Sequence, residues 1–406
     1  MTQDYDRSVE TVILLIFGEF MLIFGALLFA ISAGRLPYNP DSMYGLFLVL
    51  VFLQIIAMRK TPFGDLRRSW GIVFLGLCAA TLGMFACFVP GVLTEAARLL
   101  VGIILLGGGL SLFLQLFISE TKARIWLRAG NVLAQLTIAC MLVYALSMIA
   151  GVITLVPGLL ANNQTAIFLL AYGGSFFYLA WILRKVAILY PQNEVDEAES
   201  LSLSTNRFSW FEEASLPLSP AILILLGLSL TLLGLLLFPV DLGLLQFSPD
   251  GQLGLLLTVM AVQIMTLGET PLGQLKRPLP MMFFGLIFAA LGIVSTIVPG
   301  LLTNVLRMLI GALNIGGGAK CLLDTCLPLL RARGSPTKPA SVPAVVKRLS
   351  STQTILGGLQ VVFGVTMLVP GFIPGLLVAG ILVVNGLLLV KLASILRTLA
   401  AARQTG

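Results

Sequence analysis

Continuous apolar runs of about 20 residues follow one another along almost the entire chain. A run of this length crosses the hydrocarbon core of a bilayer as a helix, and in lipid a helix satisfies its own backbone hydrogen bonds. The runs do not alternate between apolar and polar positions, as the strands of a lipid-spanning barrel do. The pattern therefore predicts an all-α polytopic membrane protein with about twelve transmembrane helices, at residues 11–33, 43–58, 70–89, 96–118, 131–156, 164–186, 220–242, 252–268, 279–298, 305–327, 351–369 and 373–394.

The two halves of the sequence resemble each other. A shift of 209 positions, the difference between Gln54 and Gln263, aligns Thr61-Pro62 with Thr270-Pro271, Pro90-Gly91 with Pro299-Gly300, and Arg98 with Arg307. After a small insertion the shift becomes 213, the difference between Pro157 and Pro370. We interpret this as a tandem duplication. It divides the chain into a first six-helix repeat at 1–190, an acidic cytoplasmic linker at 191–219 and a second six-helix repeat at 220–406.

Basic residues are concentrated in the segments that follow even-numbered spans, including Arg67, Arg68, Lys122, Lys276 and Arg277. By the positive-inside rule, both termini are predicted to be cytoplasmic. Because six is an even number, both repeats should insert with the same orientation. The excess of 25 basic over 18 acidic residues favours anionic lipid headgroups at the cytoplasmic face as a partner, and does not indicate nucleic acid.

Composition also limits the chemistry that we expect. The chain is 58% hydrophobic and 11% charged, and it contains no histidine. The absence of histidine excludes His-dependent catalytic triads and His-based metal centres. We recognise no nucleotide-binding loop, metal-ligand cluster or nucleophile–base pair. The sequence therefore predicts a protein that is not an enzyme, with no catalytic residue, cofactor or metal site.

Four apolar runs end in Val-Pro-Gly, at Pro90-Gly91, Pro157-Gly158, Pro299-Gly300 and Pro370-Gly371. Proline ends the incoming helix, and glycine accepts the positive φ of a tight turn. We expect these four pairs to be structural turns on the extracytoplasmic side. Each repeat is then built from helical hairpins.

A glycine about two turns before each of these prolines, followed by a returning helix that is also rich in glycine, resembles the HdeD family of six-span bacterial membrane proteins associated with acid resistance. The residues that support this resemblance are Gly83, Gly151, Gly292 and Gly364. The resemblance covers nearly all of each half. A chain with two such units departs from the single unit of that family, which suggests that an association of two units has become covalent.

The chain also resembles the major facilitator superfamily in its twelve spans, cytoplasmic termini and central hydrophilic linker. Gly64-Asp65 with Arg67-Arg68 lies where that family has a basic turn, and Arg98 with Gly102 is similar to its arginine–glycine pair. The second glycine of the turn is missing, and the two halves match more closely than they do in that family.

Glu19 is predicted near the middle of the first span, where an ionised group costs about 2.5 to 3.5 kcal/mol on insertion scales. Apolar Leu228 occupies its position in the second half. Glu19 is therefore a candidate intramembrane site, as a proton carrier or as the partner of an arginine. The alternative is a carboxylate shallow enough to reach headgroup water.

Arg98 and Arg307 occupy aligned positions near the outer start of the fourth span of each half. They would form an anion site if they faced a shared axis, or one of them would hold Glu19 ionised. In the alternative, each guanidinium reaches the outer interface by snorkelling. The duplication predicts that Arg98→Ala and Arg307→Ala behave alike.

Other residues are candidates for a polar cavity. The triple glycines 107–109 and 316–318 permit either close helix packing or a local helix break that exposes carbonyl groups. Polar side chains that would line such a cavity, or bridge helices, are Gln54, Gln115, Tyr172, Gln263, Asn314 and Asn385.

Three functions remain open. The first is a non-enzymatic HdeD-like inner-membrane protein that acts in envelope or acid stress. The second is a secondary transporter of a small solute or ion that uses Glu19, Arg98 and Arg307. The third is an accessory subunit with a membrane-complex partner.

Overall fold

The computed structural model of the chain describes residues 9–57, 70–118, 131–189, 218–267, 269–270, 273–274, 278–332, 344–369 and 373–404. These residues form twelve helices and one short strand pair. The helices of the first half are α1 (Val9–Ser32), α2 (Pro40–Ala57), α3 (Trp70–Phe88), α4 (Thr94–Ile118), α5 (Asn131–Leu155) and α6 (Asn162–Leu189). Those of the second half are α7 (Leu218–Asp241), α8 (Pro249–Leu267), α9 (Pro278–Ile297), α10 (Thr303–Ala332), α11 (Ala344–Leu368) and α12 (Gly375–Gln404). The all-α fold and the twelve helices predicted from the apolar runs are confirmed.

Two strands of two residues each, β1 (Glu269–Thr270) and β2 (Gly273–Gln274), pair antiparallel after α8. The sequence analysis did not predict them. A strand of two residues has no alternating pattern that could be recognised.

Within the described residues, nine helices are long and apolar enough to cross a membrane. Two further apolar helices, Pro40–Ile56 and Met282–Ile297, are shorter. Large apolar side chains such as Phe74, Ile103, Ile167, Phe283 and Met308 are exposed on the outside of the helices. Water would disfavour this much contiguous apolar surface, whereas lipid accommodates it. The chain is therefore an integral, multi-pass membrane protein.

The chain divides into two compact units. Unit 1 comprises Met1–Ala86 and Gly91–Ser215, and unit 2 comprises Cys87–Pro90 and Leu216–Gly406. The acidic linker predicted at 191–219 and the basic loops fall almost entirely outside the described residues.

In unit 1, α1 packs along α6, α3 packs on α2, and α4 packs on α5. In unit 2, α7 packs along α12, α8 on α9, and α10 on α11. The closest packing therefore joins the first helix of a unit to the sixth, and joins helices on either side of the basic segments. Of the hairpins expected around the Val-Pro-Gly turns, α5 with α6 and α11 with α12 are in contact, but less extensively than these pairs. Such a turn fixes the chain direction, but glycine positions decide which helix faces come closest.

The N-termini of α2 and α8 begin with the same arrangement. Asn39 Oδ1 accepts a hydrogen bond from the backbone N–H of Ser42, at 3.2 Å, and Ser248 Oγ accepts one from the N–H of Gly251, also at 3.2 Å. In each case a proline follows at the first helical position, where it has no intrahelical partner to lose. An aspartate follows the proline, as Asp41 in α2 and Asp250 in α8.

Candidate functional site

Glycine residues allow the paired helices to approach until backbone meets backbone. A methyl group added at Gly83 would lie 2.5 Å from the carbonyl oxygen of Gly45, and one at Gly151 would lie 2.5 Å from the backbone nitrogen of Leu106. Real Cβ atoms do not come this close to a backbone atom, so the helices would have to separate.

The other two glycines of the HdeD-like pattern lie in equivalent contacts in unit 2. A methyl group at Gly364 would lie 2.7 Å from the carbonyl oxygen of Gly311, and one at Gly292 would lie 2.7 Å from that of Gly254. All four pattern glycines therefore lie at helix contacts that only glycine permits. Small residues at such contacts favour packing in a membrane, where no hydrophobic effect drives helices together.

The first triple glycine has two different environments. A methyl group added at Gly107 or Gly108 would meet no neighbouring atom within 4 Å, whereas one at Gly109 would lie 3.0 Å from Met148. Both α4 and α10 continue without interruption through their triple glycines. Neither helix breaks to expose carbonyl groups at these positions.

Three of the four predicted turn glycines are described. Gly91, Gly158 and Gly300 have φ values of 86°, 84° and 82°, a region that favours glycine because it has no Cβ. Each follows its proline, Pro90, Pro157 or Pro299. The fourth turn, Pro370-Gly371, lies outside the described residues.

Asp41 fixes the turn between α3 and α4. Its Oδ2 accepts a hydrogen bond from the backbone N–H of Gly91 at 3.1 Å, and its Oδ1 accepts one from the Thr94 hydroxyl at 2.5 Å. The carboxylate is only 5% exposed. Two donors thus satisfy a buried negative charge that would otherwise be costly.

Asp250 makes the same contacts in unit 2. Its Oδ2 accepts a hydrogen bond from the N–H of Gly300 at 3.1 Å, and its Oδ1 accepts one from the Thr303 hydroxyl. The sequence analysis missed both aspartates. The signal was present, since the 209-position shift aligns Asp41 with Asp250 and Thr94 with Thr303.

Glu19 lies near the centre of α1, the helix that packs along α6. Its Oε2 is buried and accepts no hydrogen bond from any described residue. Three other buried polar atoms share this condition: Gln115 Oε1, Ser229 Oγ and Asn385 Oδ1. A buried polar atom without a partner costs free energy, so each is a candidate for a ligand or a proton.

Arg98 contacts Glu95 and not Glu19. Its guanidinium donates to Glu95 Oε2, at 2.5 Å from Nη2 and 3.2 Å from Nε. Nη1 donates to the carbonyl oxygens of Thr154 and Leu155, at 3.1 and 3.3 Å. These carbonyls belong to the last turn of α5, which has no intrahelical donors for them. Arg98 therefore caps α5 from α4.

Arg307, the aligned residue in α10, is partly buried. The position equivalent to Glu95 is Asn304, so the acidic partner is not repeated. No ion pair of Arg307 is found in the part of the chain that the structure describes.

Of the other polar candidates, Asn314 donates to the carbonyl oxygen of Ile310 at 2.8 Å within its own helix. Tyr172 is buried, and its ring lies 4.8 Å from that of Phe176, centroid to centroid. Both therefore serve packing in the observed structure.

Within the described ranges, no group of three or more Cys, Asp or Glu side chains is placed to hold a metal ion. Comparisons of the chain with protein-family models, with curated proteins and with solved structures find no match.

Proposed function

We propose that this chain is a non-enzymatic, HdeD-like protein of the bacterial inner membrane that acts in envelope or acid stress. The observation that supports it best is the position of the four pattern glycines, each at a helix contact too close for any other residue. The resemblance to that family rests on these same residues. Their packing role gives the pattern a physical reason.

The proposal includes a tandem duplication. The same three helix pairs occur in each unit, and Asp41 and Asp250 bind partners at the same separations of 50 and 53 residues. The N-caps Asn39 and Ser248 also occupy aligned positions. Such a detailed agreement favours a copied unit over two unrelated ones.

The test is survival of a deletion strain of the source bacterium after acid and envelope stress, with complementation. We expect deletion to lower survival, and the native chain and Gly107→Ala to restore it. Gly151→Ala should fail to restore it, because that methyl group separates α4 from α5. Equal survival of the deletion and native strains in both stresses would contradict the proposal.

One observation favours a second candidate, a secondary transporter of a small solute or ion. Glu19 places a carboxylate oxygen without a hydrogen-bond partner in the interior of a membrane helix, and such groups often mark proton or ion pathways. In this alternative Glu19 takes up and releases the coupling ion, and Arg98 holds α4 to the end of α5.

Proton uptake into proteoliposomes under an imposed pH gradient separates the two candidates. A transporter that uses Glu19 should show flux in the native chain, none in Glu19→Gln, and normal flux in Gln115→Leu, which removes another polar atom without a partner. If native vesicles are as tight as empty liposomes, proton transport through Glu19 is excluded.

A further inference from the structure

Unit 2 contains a cleft of about 200 Å³, between α7, α8, α11 and α12. Leucine, phenylalanine, isoleucine, methionine and valine form most of its wall, and Leu233, Leu382 and Phe363 are representative. The polar members are Gln252 and Thr366, and the Thr366 hydroxyl donates to the Phe363 carbonyl at 2.7 Å. A cleft with a mostly apolar wall favours an apolar group over water.

The cleft lies near one end of unit 2, at the level of the terminal turns of its helices. Leu237 is four residues from the end of α7, and Val378 is three residues from the start of α12. At 1.5 Å per residue, these positions are roughly 5 to 6 Å inside the helix ends. The cleft therefore starts about one helical turn inside the ends of α7 and α12 and extends to Leu233 and Leu382, two turns inside.

The connection between α7 and α8, which contributes Phe247 to the cleft wall, exposes apolar side chains. Leu242 is 69% exposed and Leu244 is 72% exposed. Side chains of this kind are disfavoured in water, so their exposure indicates that acyl chains cover this end of unit 2.

The aligned positions of unit 1 are different. Exposed Arg35 aligns with Leu244, while Phe24 and Tyr38 align with Leu233 and Phe247. The rings of Phe24 and Tyr38 stack with their centroids 6.1 Å apart. At one aligned position unit 1 has the smaller side chain, because Ala150 lies where Phe363 forms part of the cleft wall in unit 2. Unit 2 therefore has a cleft and two exposed leucines, beside the exposed Asp241, where unit 1 has stacked rings and a cation.

We propose that this cleft binds one acyl chain of a membrane lipid, taken from the leaflet at that end of unit 2. The apolar wall and the exposed leucines at the connection both match an aliphatic chain. Binding would make the lipid a bound ligand of unit 2.

The test uses the full chain in nanodiscs of phosphatidylethanolamine and phosphatidylglycerol, with a small fraction of a phospholipid whose acyl chain has a terminal diazirine. After irradiation, peptide mass spectrometry locates the label. We expect residues around Leu233 and Met367 to be labelled at least threefold more than Phe283, which is 64% exposed on the outside of α9. Labelling equal to or below that of Phe283 would overturn the proposal.

Matched variants show whether labelling depends on the empty volume of the cleft. Leu233→Phe introduces the residue that unit 1 has at this position, and it should lower labelling of the cleft at least threefold. Leu235→Phe makes the same change on the outside of α7, where Leu235 is 54% exposed, and should leave the label unchanged. Unchanged labelling in Leu233→Phe would contradict specific binding.

Met367→Ala is a second variant, which distinguishes a loss of lipid binding from a folding defect in Leu233→Phe. It widens the cleft, so labelling should stay equal or rise while thermal unfolding confirms a folded protein. A fall in labelling in Met367→Ala as well would overturn the proposal, since the label would then respond to any disturbance of the wall.

Discussion

Asp41 and Asp250 each fix a turn between two helices by accepting two hydrogen bonds in a buried site. These bonds connect the first turn of one helix to the start of another about 50 residues later. The donors are a backbone N–H and a hydroxyl, and each carboxylate oxygen accepts from one of them.

We expect Asp41→Asn and Asp250→Asn to destabilise the protein by similar amounts. Each amide keeps one acceptor oxygen, and its NH₂ group can only donate to the threonine hydroxyl, so a charge-assisted bond worth about 1.5–3 kcal/mol is replaced by a weaker neutral one. The measurement is the unfolding midpoint in a mild detergent titrated with sodium dodecyl sulfate.

Thr94→Val and Thr303→Val remove only the hydroxyl and serve as partners in double-mutant cycles. Coupling of Asp41 to Thr94, but not to Thr303, is the expected result. An effect of Asp41→Asn with no coupling to Thr94→Val would mean that the contact is not what stabilises the turn.

Arg98 and Arg307 lead to a different expectation than the sequence alone. Arg98→Ala removes an ion pair and two bonds to the end of α5, so it should lower stability by roughly 1–3 kcal/mol. Arg307→Ala should cost less, because Asn304 replaces Glu95 in unit 2. Thermal unfolding of both variants in detergent tests this, and equal losses would restore the symmetric interpretation.

For single residues, the sequence predicted which positions are equivalent better than which groups they contact. The alignment of the two halves identified Arg98 and Arg307 as equivalent, but Glu95 and the carbonyls of α5 are contacts made by folding. Asp41 and Asp250 were overlooked because an acidic residue after a helix-starting proline also fits an ordinary helix N-terminus.

Helix bounds followed closely from the apolar runs, because prolines and glycines end the helices where the hydropathy also ends. The predicted span 96–118 corresponds to α4 at Thr94–Ile118, and 131–156 corresponds to α5 at Asn131–Leu155. The predicted 373–394 is shorter than α12, Gly375–Gln404, because a helix can continue beyond the apolar layer with polar residues.

Glycine substitutions should separate the packed face of a helix from its open face. Gly151→Ala places a methyl group against the backbone of Leu106, and we expect a loss of about 1–3 kcal/mol from overpacking. Gly107→Ala makes the same change where no atom lies within 4 Å, and should be neutral or slightly stabilising because alanine favours helix.

Unfolding midpoints of the two variants, compared with the native chain, provide the measurement. Equal destabilisation by both alanines would show that close helix contact is not the reason for glycine at residue 151.

Which helices pack together could not be predicted from the runs. The pairing of α1 with α6, and of α7 with α12, joins elements far apart in sequence. It depends on the contact of Gly18 with Gly173 in unit 1 and of Gly227 with Gly386 in unit 2, and the alignment of the halves does not contain that information.

For the whole chain, the even number of helices and the basic segments predict that both termini are cytoplasmic. Green fluorescent protein fused to either end should fluoresce. In a cysteine-free background, Ala161→Cys and Leu301→Cys, both at exposed positions near Val-Pro-Gly turns, should then react with an impermeant maleimide added to intact cells. Active alkaline phosphatase fused to the C-terminus would reverse this orientation.

Helix length differs along the chain. α2 has 18 residues and α3 has 19, whereas α10 and α12 have 30 each. At 1.5 Å per residue, the short helices extend only about 27–29 Å and the long ones about 45 Å. A plasma-membrane-like bilayer of about 32–33 Å would exceed α2 and α3, so lipid beside them would have to thin. The shortest helices would thus set the bilayer thickness that matches this protein best. We expect thick, ordered lipid domains to exclude it.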